Sequence, residues 1–187
     1  MAKDTYHHGN LRAALLNAAL NALKDEPPAK LSLRQLAGCL GVSANAPYAH
    51  FASKDDLLDA LRREGFVELK SEMADALAVA GPGRSVELAA LGRAYLRFGR
   101  EKPHLYALMF AEGPAPSEAT ASAATDSFAL LRQTVEGLGT DPDLAHFAWA
   151  LVHGLVTLDA AGQLEPLGAA QIEDLAPRLA QILIGTR

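Results

Sequence analysis

Leucine and alanine recur through most of this chain at the i, i+3, i+4 spacing that places apolar side chains on one face of an α-helix. In the first such stretch the apolar positions are Leu11, Leu15, Ala18, Ala19, Ala22 and Leu23. Apolar residues make up 50% of the 187 residues and aromatic residues only 6%. β-Branched residues are sparse, which favours helices over strands. The sequence therefore predicts an all-α protein with a substantial core.

Proline, glycine and small polar residues mark where the N-terminal helices begin and end. Asn10 is expected to cap the first helix, and Pro27-Pro28 to terminate it. Ser53 is expected to cap a long helix with Asp55 and Asp56 in its first turn, where the helix dipole favours negative charge. This helix should continue to the break at Gly81-Pro82-Gly83.

The remaining sequence predicts further helices separated by short breaks. The expected segments are a helix from about Val86 to Arg100, a short helix opened by Pro103, a loop at Gly113-Pro114-Ala115-Pro116 and a helix carrying Phe128, Leu131 and Val135 that ends near Gly137. Asp141 and Pro142 should open a helix over 144–161 that is apolar nearly all round, which predicts burial on most sides. A last helix should be opened by Asp174, with Pro177 in its first turn.

The charge is unevenly distributed along the chain. Residues 1–63 carry eight Lys/Arg and six Asp/Glu, a net charge of +2, whereas residues 64–187 carry nine and sixteen, a net charge of −7. A basic head on an acidic body indicates that only the head meets a polyanion. A difference of this size is also common by chance, so this feature alone decides nothing.

Two short helices joined by Gly41-Val42-Ser43 form a candidate helix-turn-helix. Ala37 is small where the two helices would cross, and Gly41 permits the positive φ of a sharp turn. Ser43 should cap a third short helix through Phe51. The side chains that follow this cap, Ala44 and Asn45, would face base edges in the major groove of DNA. The same spacing is also found in plain helical hairpins.

Side chains further along the third helix could position it on the phosphate backbone. Tyr48, His50 and Lys54 offer a hydroxyl, an imidazole and an ammonium group. Phe51 is expected to be core. His7 and His8 are neighbours without supporting ligands, so an N-terminal arm near DNA is favoured over a metal site.

These segments resemble a known family. The stretch from Leu33 to Ser43, followed by Tyr48-Ala-His-Phe-Ala-Ser-Lys-Asp-Asp-Leu-Leu58, is similar to the DNA-binding domain of TetR-family transcriptional regulators. The opening Tyr6-His-His-Gly-Asn-Leu-Arg12 and the segment Trp149-Ala-Leu-Val-His-Gly154 resemble the branch of that family with a Trp-His-Gly C-terminal domain.

The resemblance implies a cytoplasmic homodimer of nine-helix subunits, usually a repressor, that binds double-stranded DNA at a pseudo-palindromic operator. Residues 1–53 would form the helix-turn-helix domain, and residues 54–187 would bind a small, largely apolar effector and dimerise. The family's DNA contacts carry over to Ser32, Arg34, Ser43, Ala44, Asn45, Tyr48, His50 and Lys54. Pro47 departs from the family pattern, and its ring should tighten or bend the start of the recognition helix. A binding module whose DNA function has decayed is therefore an alternative.

Trp149 and His153 lie four residues apart and share one face of an apolar helix. They could form a ligand pocket with a polar handle, or a core Trp beside a hydrogen-bonded core His, and both interpretations stay open. The other candidate pocket residues are Phe98, Tyr106, Met109, Phe110, Phe128 and Leu131. In this family the last two long helices pair across a two-fold axis, which their apolar faces fit.

Other classes of protein find little support. The chain offers no nucleophile–base motif, paired metal ligands or phosphate-binding glycine loop, so we expect no enzyme, cofactor or metal site. It contains no apolar run long enough to span a bilayer, and its first ten residues lack the apolar core of a signal peptide. Cys39, the single cysteine, fits a reducing compartment and is expected to be a small buried side chain.

Overall fold

A computed structural model describes residues 11–136, 143–164 and 167–185, and all regular secondary structure in these ranges is helical. The prediction of an all-α fold is confirmed. The helices are α1 (Leu11–Ala22), α2 (Leu33–Cys39), α3 (Lys54–Val79), α4 (Arg84–Glu101), α5 (Pro103–Met109), α6 (Glu118–Glu136), α7 (Leu144–Ala160), α8 (Ala169–Glu173) and α9 (Leu175–Gly185), with 3-10 turns at Pro28–Lys30 and Ala46–Ala49. We call residues 11–53 the head and the described residues from 54 onward the body. The boundary residues predicted at Asn10, Gly137, Asp141 and Pro142 lie outside the described ranges.

The head is a small helical unit around one apolar core. Leu15 of α1, Ala37 of α2 and Phe51 are fully buried in it. Gly41 adopts φ 67°, and the Val42 amide donates to the Ala37 carbonyl at 3.0 Å, so the chain turns sharply after α2. The turn predicted between the two helices is therefore present.

The recognition segment, residues 43–50, differs from the helix predicted to start after Ser43. Its regular part is the 3-10 helix Ala46–Ala49, preceded by Asn45, and no side chain caps it. A helix capped at Ser43 would require Pro47 to donate an N–H to the Ser43 carbonyl, and proline has none. The Ala46 amide instead donates to the Ser43 carbonyl at 3.0 Å, which places Pro47 at the second helical position, where it is tolerated.

Cys39 is exposed, so the prediction that it is buried was wrong. Helix α2 buries Leu33, Leu36 and Ala37, which lie on one face at helical spacing. Cys39 comes two residues after Ala37, which puts it on the outer face of the same helix.

Helix α3 joins the head to the body without a break. The Ser53 hydroxyl accepts from the Asp56 amide at 3.2 Å, and the Asp56 carboxylate accepts from the Ala52 amide at 3.0 Å, so the predicted cap is present. Asp55 and Asp56 lie in the first turn. Since α3 rises about 1.5 Å per residue, it carries a rigid connection from the head deep into the body.

In the body, α3 packs against α4, α5 and α6, and α4 packs against α7 and α9. Pro103 opens α5, as predicted, and Pro177 lies in the first turn of α9. Gly99 of α4 permits a close helix crossing, because a Cβ at that position would come 2.9 Å from Val156 Cγ2 of α7. The short helix α8 was not predicted; it precedes Asp174 and contributes the buried Ile172.

Helix α7 is only half covered within one chain, so the monomer alone does not provide the predicted burial on most sides. Ala148, Val152 and Val156 are buried against the rest of the body. Phe147 is 55% exposed and Leu151 is 40% exposed. The cause is geometric, because α4, α6 and α9 all pack on one side of α7.

Candidate DNA-binding surface and ligand cavity

The recognition segment presents exposed polar side chains on a rigid support. Ser43, Ala44 and Asn45 are exposed, and Tyr48 is 46% exposed. Pro47 lies fully buried beneath them and anchors the segment to the head. Within the described residues no hydrogen bond occupies the side chains of Asn45, Tyr48 or His50. These groups are therefore available to an outside partner.

The remaining predicted DNA contacts lie on the neighbouring starts of α2 and α3. Arg34 is exposed in the first turn of α2, and Ser32 is half-buried in the position before that helix. Lys54 is half-buried, and its Nζ donates to the Ala29 carbonyl at 2.6 Å. The ammonium group of Lys54 thus ties the start of α3 to the 3-10 turn before α2 and still has two further N–H donors.

An apolar cavity of about 180 Å³, partly open to solvent, lies between α3, α4, α6 and α7. Its wall consists of Phe66, Leu69, Met73, Tyr95, Phe110, Ala124, Ser127, Phe128, Leu131 and Trp149. Four of the eight predicted pocket residues belong to this wall: Phe110, Phe128, Leu131 and Trp149. The aromatic rings among them form a continuous cluster, with ring centroids 6.5 Å apart for Phe110–Trp149 and 5.7 Å apart for Phe128–Trp149.

The other four predicted pocket residues lie outside this wall. Phe98 is fully buried in the core, with the Lys102 ammonium 4.7 Å from its ring centroid. Met109 lies against Gly65, where α3 and α5 approach closely. Tyr106 and His153 form a second layer, which reaches the cavity through Tyr95.

Several residues of the cavity wall were not predicted from the sequence, most importantly Tyr95. It lies three residues before Phe98 on the buried face of α4, so helical periodicity alone cannot separate the two. A tyrosine on an apolar stripe does carry a signal, because its hydroxyl needs a hydrogen-bond partner when buried. Phe66, Leu69, Met73, Ala124 and Ser127 carry no local signal of this kind.

Four polar groups form one connected cluster behind the cavity. The Trp149 Nε1–H donates to the Tyr95 hydroxyl at 3.2 Å, and the Tyr95 and Tyr106 hydroxyls are 3.1 Å apart. His153 Nδ1 lies 2.7 Å from the Tyr106 hydroxyl and 3.3 Å from that of Tyr95. Trp149 thus lines the cavity and His153 is hydrogen-bonded behind it, and a ligand-binding role for the pair stays a prediction.

The cluster is electrically neutral at physiological pH. Burial raises the pKa of the Tyr95 and Tyr106 hydroxyls, and it lowers the pKa of His153 below its ordinary value of 6.5. The cavity is therefore lined by uncharged groups, and a hydrogen-bonded network lies behind its wall.

The described part of the chain contains no group of three His, Cys, Asp or Glu side chains placed to hold a metal ion, and His7 and His8 lie outside it. No helix in the described ranges is long and apolar enough to cross a membrane.

Models of two protein families match the chain. Residues 15–61 match the tetR family of bacterial regulatory proteins, and residues 88–183 match the tetracyclin repressor-like C-terminal domain. The chain therefore belongs to the TetR family of transcriptional regulators, with a DNA-binding N-terminal domain and a ligand-binding C-terminal domain. Assignment to the Trp-His-Gly branch stays a prediction.

Solved structures share the fold over nearly the whole chain. A protein of unknown function from Rhodococcus sp. RHA1 is 30% identical, with 98% of each chain covered and a TM-score of 0.86. The TetR family transcriptional regulator PfmR from Thermus thermophilus is 19% identical, over 91% of this chain and 97% of that one, with a TM-score of 0.64. The transcriptional regulator FadR from Bacillus subtilis, solved in complex with stearoyl-CoA, is 14% identical, over 94% and 98% of the two chains, with a TM-score of 0.71. None of the curated proteins matches the chain.

Proposed function

We propose that this protein is a cytoplasmic repressor that binds a pseudo-palindromic operator as a homodimer and is released by a small, largely apolar ligand. The observation that carries the proposal is the course of α3. This helix starts beside the recognition segment at Lys54, and its Phe66, Leu69 and Met73 side chains form part of the cavity wall. One rigid element therefore joins a surface suited to DNA with a cavity suited to a ligand.

The predicted DNA contacts divide into two roles, base readout and phosphate positioning. Ala44 and Asn45 meet base edges, and the Asn45 amide can pair bidentately with adenine. The remaining contacts position the head on the phosphates without reading sequence: Ser32, Arg34, Ser43, Tyr48, His50 and Lys54.

The exposed apolar face of the body supports the homodimer. Phe147, Leu151 and Leu158 of α7 and Ile182 of α9 are large apolar side chains exposed in the monomer. Exposed large apolar side chains on packed helices mark a candidate interaction surface, and a two-fold axis would bury the same surface on both subunits. Two heads held this way would contact half-sites about one helical turn of DNA, or a multiple of it, apart.

Release of DNA by a ligand would depend on the contacts that hold α3 in the body. Near the head, the Asp59 carboxylate accepts from the Thr120 hydroxyl at 3.0 Å and from the Ser117 amide at 3.2 Å, both at the start of α6. Arg62 Nε donates to the Leu108 carbonyl at 3.1 Å. A ligand that separates α3 from α6 in the cavity would move α3 through these bonds, and hence the head.

The test measures binding of the dimer to DNA from upstream of its own coding region and to random DNA, by fluorescence anisotropy over a range of salt concentrations. Lys54→Ala should weaken binding to both DNAs alike and reduce the salt slope by about 1, because it removes one phosphate contact. Asn45→Ala should cost about 1–3 kcal/mol on the specific DNA only, with relaxed preference at one base pair.

Lys54→Arg is the matched control for Lys54→Ala, since it keeps the charge and should keep the salt slope. An equal loss on both DNAs for Asn45→Ala would contradict base readout by that side chain. A folded dimer that binds neither DNA at low salt would contradict the proposed function and support a binding module whose DNA function has decayed.

A further inference from the structure

We propose that the body binds a monocarboxylate with an apolar tail, the carboxylate pairing with the Arg62 guanidinium and the tail filling the cavity. The inference rests on the proposed function, since it takes this cavity as part of the effector site, and it adds the chemical class of the effector. It is carried by a buried arginine without a counter-ion and by the position of that arginine beside the cavity wall.

Arg62 is a buried cation that forms no ion pair with the described residues. Its side chain is only 9% exposed. Nε donates to the Leu108 carbonyl at 3.1 Å, whereas no group in the described ranges accepts from Nη1 or Nη2. Each of these two nitrogens carries two N–H donors. Because a buried charge without a counter-ion is unfavourable, this guanidinium is suited to an anion from outside.

A groove that is open to solvent gives an anion access to these donors. It is lined by Arg62, the segment 111–116 and the first turns of α6, and we call it the Arg62 groove. Gly113 brings the backbone of this segment against the guanidinium, since a Cβ at that position would lie 2.9 Å from Nη2. The planar guanidinium, with several donors in a fixed geometry, matches a carboxylate that accepts through both oxygens.

The acidic residues around Arg62 favour an anion with a single negative charge. The Asp59 carboxylate already accepts two hydrogen bonds from the start of α6, and the exposed Glu112 lines the Arg62 groove. Asp55 and Asp56 line an adjoining groove that Arg62 also borders. One guanidinium balances one carboxylate, whereas these acids would repel the second charge of a phosphate dianion.

The Arg62 groove and the apolar cavity are neighbours along the interface of α3 and α6. Arg62, Phe66, Leu69 and Met73 lie at helical spacing on one face of α3. Phe66 lines both the groove and the cavity, and so does Ala124 of α6. A ligand with its carboxylate at Arg62 can therefore extend its tail past Phe66 into the cavity.

The cavity volume sets the size of the tail. Since an apolar cavity of about 150 Å³ holds the six carbon atoms of benzene, the present cavity of about 180 Å³ fits a tail of about seven carbon atoms. No Lys, Arg, Asp or Glu of the described residues belongs to the cavity wall, so the tail is uncharged. Octanoate, with seven carbon atoms beyond its carboxyl group, meets these conditions.

The experiment compares octanoate with 1-octanol and octylammonium, which carry tails of similar length on a neutral and a cationic headgroup. Affinities for the full-length protein are measured by isothermal titration calorimetry without DNA. Octanoate should bind roughly tenfold more tightly than 1-octanol, the ratio expected from a net charge-assisted hydrogen bond, and octylammonium should bind most weakly. Equal or tighter binding of 1-octanol or octylammonium, or no binding of octanoate, would overturn the proposal.

Arg62→Met tests whether this preference comes from the guanidinium. The substitution keeps an unbranched side chain, and the Leu108 carbonyl keeps the Ala111 amide as a donor at 3.4 Å. Octanoate affinity should fall to that of 1-octanol, whereas 1-octanol affinity should be unchanged because the cavity is intact. The headgroup comparison on the wild-type protein decides the proposal by itself if this variant does not fold.

Arg63→Met is the matched control for Arg62→Met. Arg63 is the next residue of α3, is paired with Glu64 at 2.8 Å and lines neither the Arg62 groove nor the cavity. The preference for octanoate should therefore persist in this variant. A preference retained in Arg62→Met, or lost in Arg63→Met, would overturn the assignment.

Ala124→Phe tests whether the tail enters the cavity. A phenyl group at this position would obstruct the junction of groove and cavity, so octanoate and 1-octanol should both bind at least tenfold more weakly. An octanoate affinity equal to that of the wild-type protein would place the tail elsewhere and overturn the proposal.

Adding octanoate to the protein–DNA complex separates this inference from the proposed function. If octanoate binds with the expected preference but does not release DNA, the ligand class stands and the proposal of ligand-driven release fails. If octanoate does not bind while the dimer binds its operator, the ligand class fails and the proposal of DNA binding stands.

Discussion

The head carries its candidate functional groups on its outer surface, whereas the body carries them around an internal cavity. In the head, Asn45 and Tyr48 point outward from a segment anchored by the buried Pro47. In the body, Tyr95 and Trp149 line a cavity between α3, α4, α6 and α7. A surface site needs only a rigid support beneath exposed side chains, so a short motif can specify it. An internal site depends on the volume that distant helices leave between them, which no short motif specifies.

The two regions also differ in how they tolerate change. Gly38 in the head has no atom within 4 Å of where a Cβ would lie, whereas Gly99 in the body is pressed against Val156. A Cβ at Gly38 would therefore meet open space, and a Cβ at Gly99 would meet a tightly packed helix crossing. Three predictions test whether the head and the body respond differently to substitution.

The largest effect on operator affinity is expected from a substitution in the body that affects DNA binding only by dissociating the dimer. Leu151→Glu places a charge on the exposed apolar face of α7 and should dissociate the proposed dimer, because burying an unpaired carboxylate is unfavourable. Loss of the second head should weaken operator binding by roughly 100-fold or more. Sedimentation velocity and fluorescence anisotropy give the two readouts.

Val79→Glu is the matched control for this prediction. Val79 is 86% exposed at the end of α3, away from that face, so the same chemical change should leave dimer and DNA binding intact. A monomeric Leu151→Glu protein that still binds the operator at wild-type affinity would show that one head acts alone.

An intermediate effect is expected from adding one methyl group in each region. Gly99→Ala should lower the free energy of unfolding by about 1–3 kcal/mol, because the β-branched Val156 side chain cannot rotate away. Gly38→Ala should raise it by up to about 1 kcal/mol, since it improves helix propensity without a clash. Urea denaturation measures both. Changes of the same sign in the free energy of unfolding would contradict the difference in local packing between Gly99 and Gly38.

The smallest effect is expected on the pH dependence of thermal stability, through His153 of the body. Burial lowers the pKa of His153, so the unfolded chain binds a proton more readily than the folded one below about pH 6.5. The stability that neutral His153 contributes is present above this pH and is lost as the pH falls. Between about pH 7.5 and 5.5, the melting temperature of the wild-type protein should fall more than that of His153→Gln. An equal fall in both proteins would contradict a neutral His153 in the folded state.

Much of the helical framework followed from local signals. The left-handed turn at Gly41, the Ser53 cap of α3 and the proline start of α5 at Pro103 all depend on backbone chemistry within a few residues. The short recognition segment is also local in origin, because a missing N–H at Pro47 is enough to delay the start of a helix.

Cys39 was expected inside because cysteine is commonly buried, whereas its spacing from Leu36 and Ala37 puts it on the outer face of α2. The exposed face of α7 has another cause, because periodicity does not say how many neighbours a helix has. Only the packing of α4, α6 and α9 on one side of α7 decided that an apolar face stays open.

By itself the sequence determined the helices, the helix-turn-helix and the family, since these rest on interactions between residues close together in the chain. The tertiary structure alone decided which side chains surround the cavity and which polar groups meet behind it. Tyr95, Tyr106, Trp149 and His153 come from three separate helices, and only their packing brings these groups within hydrogen-bond distance.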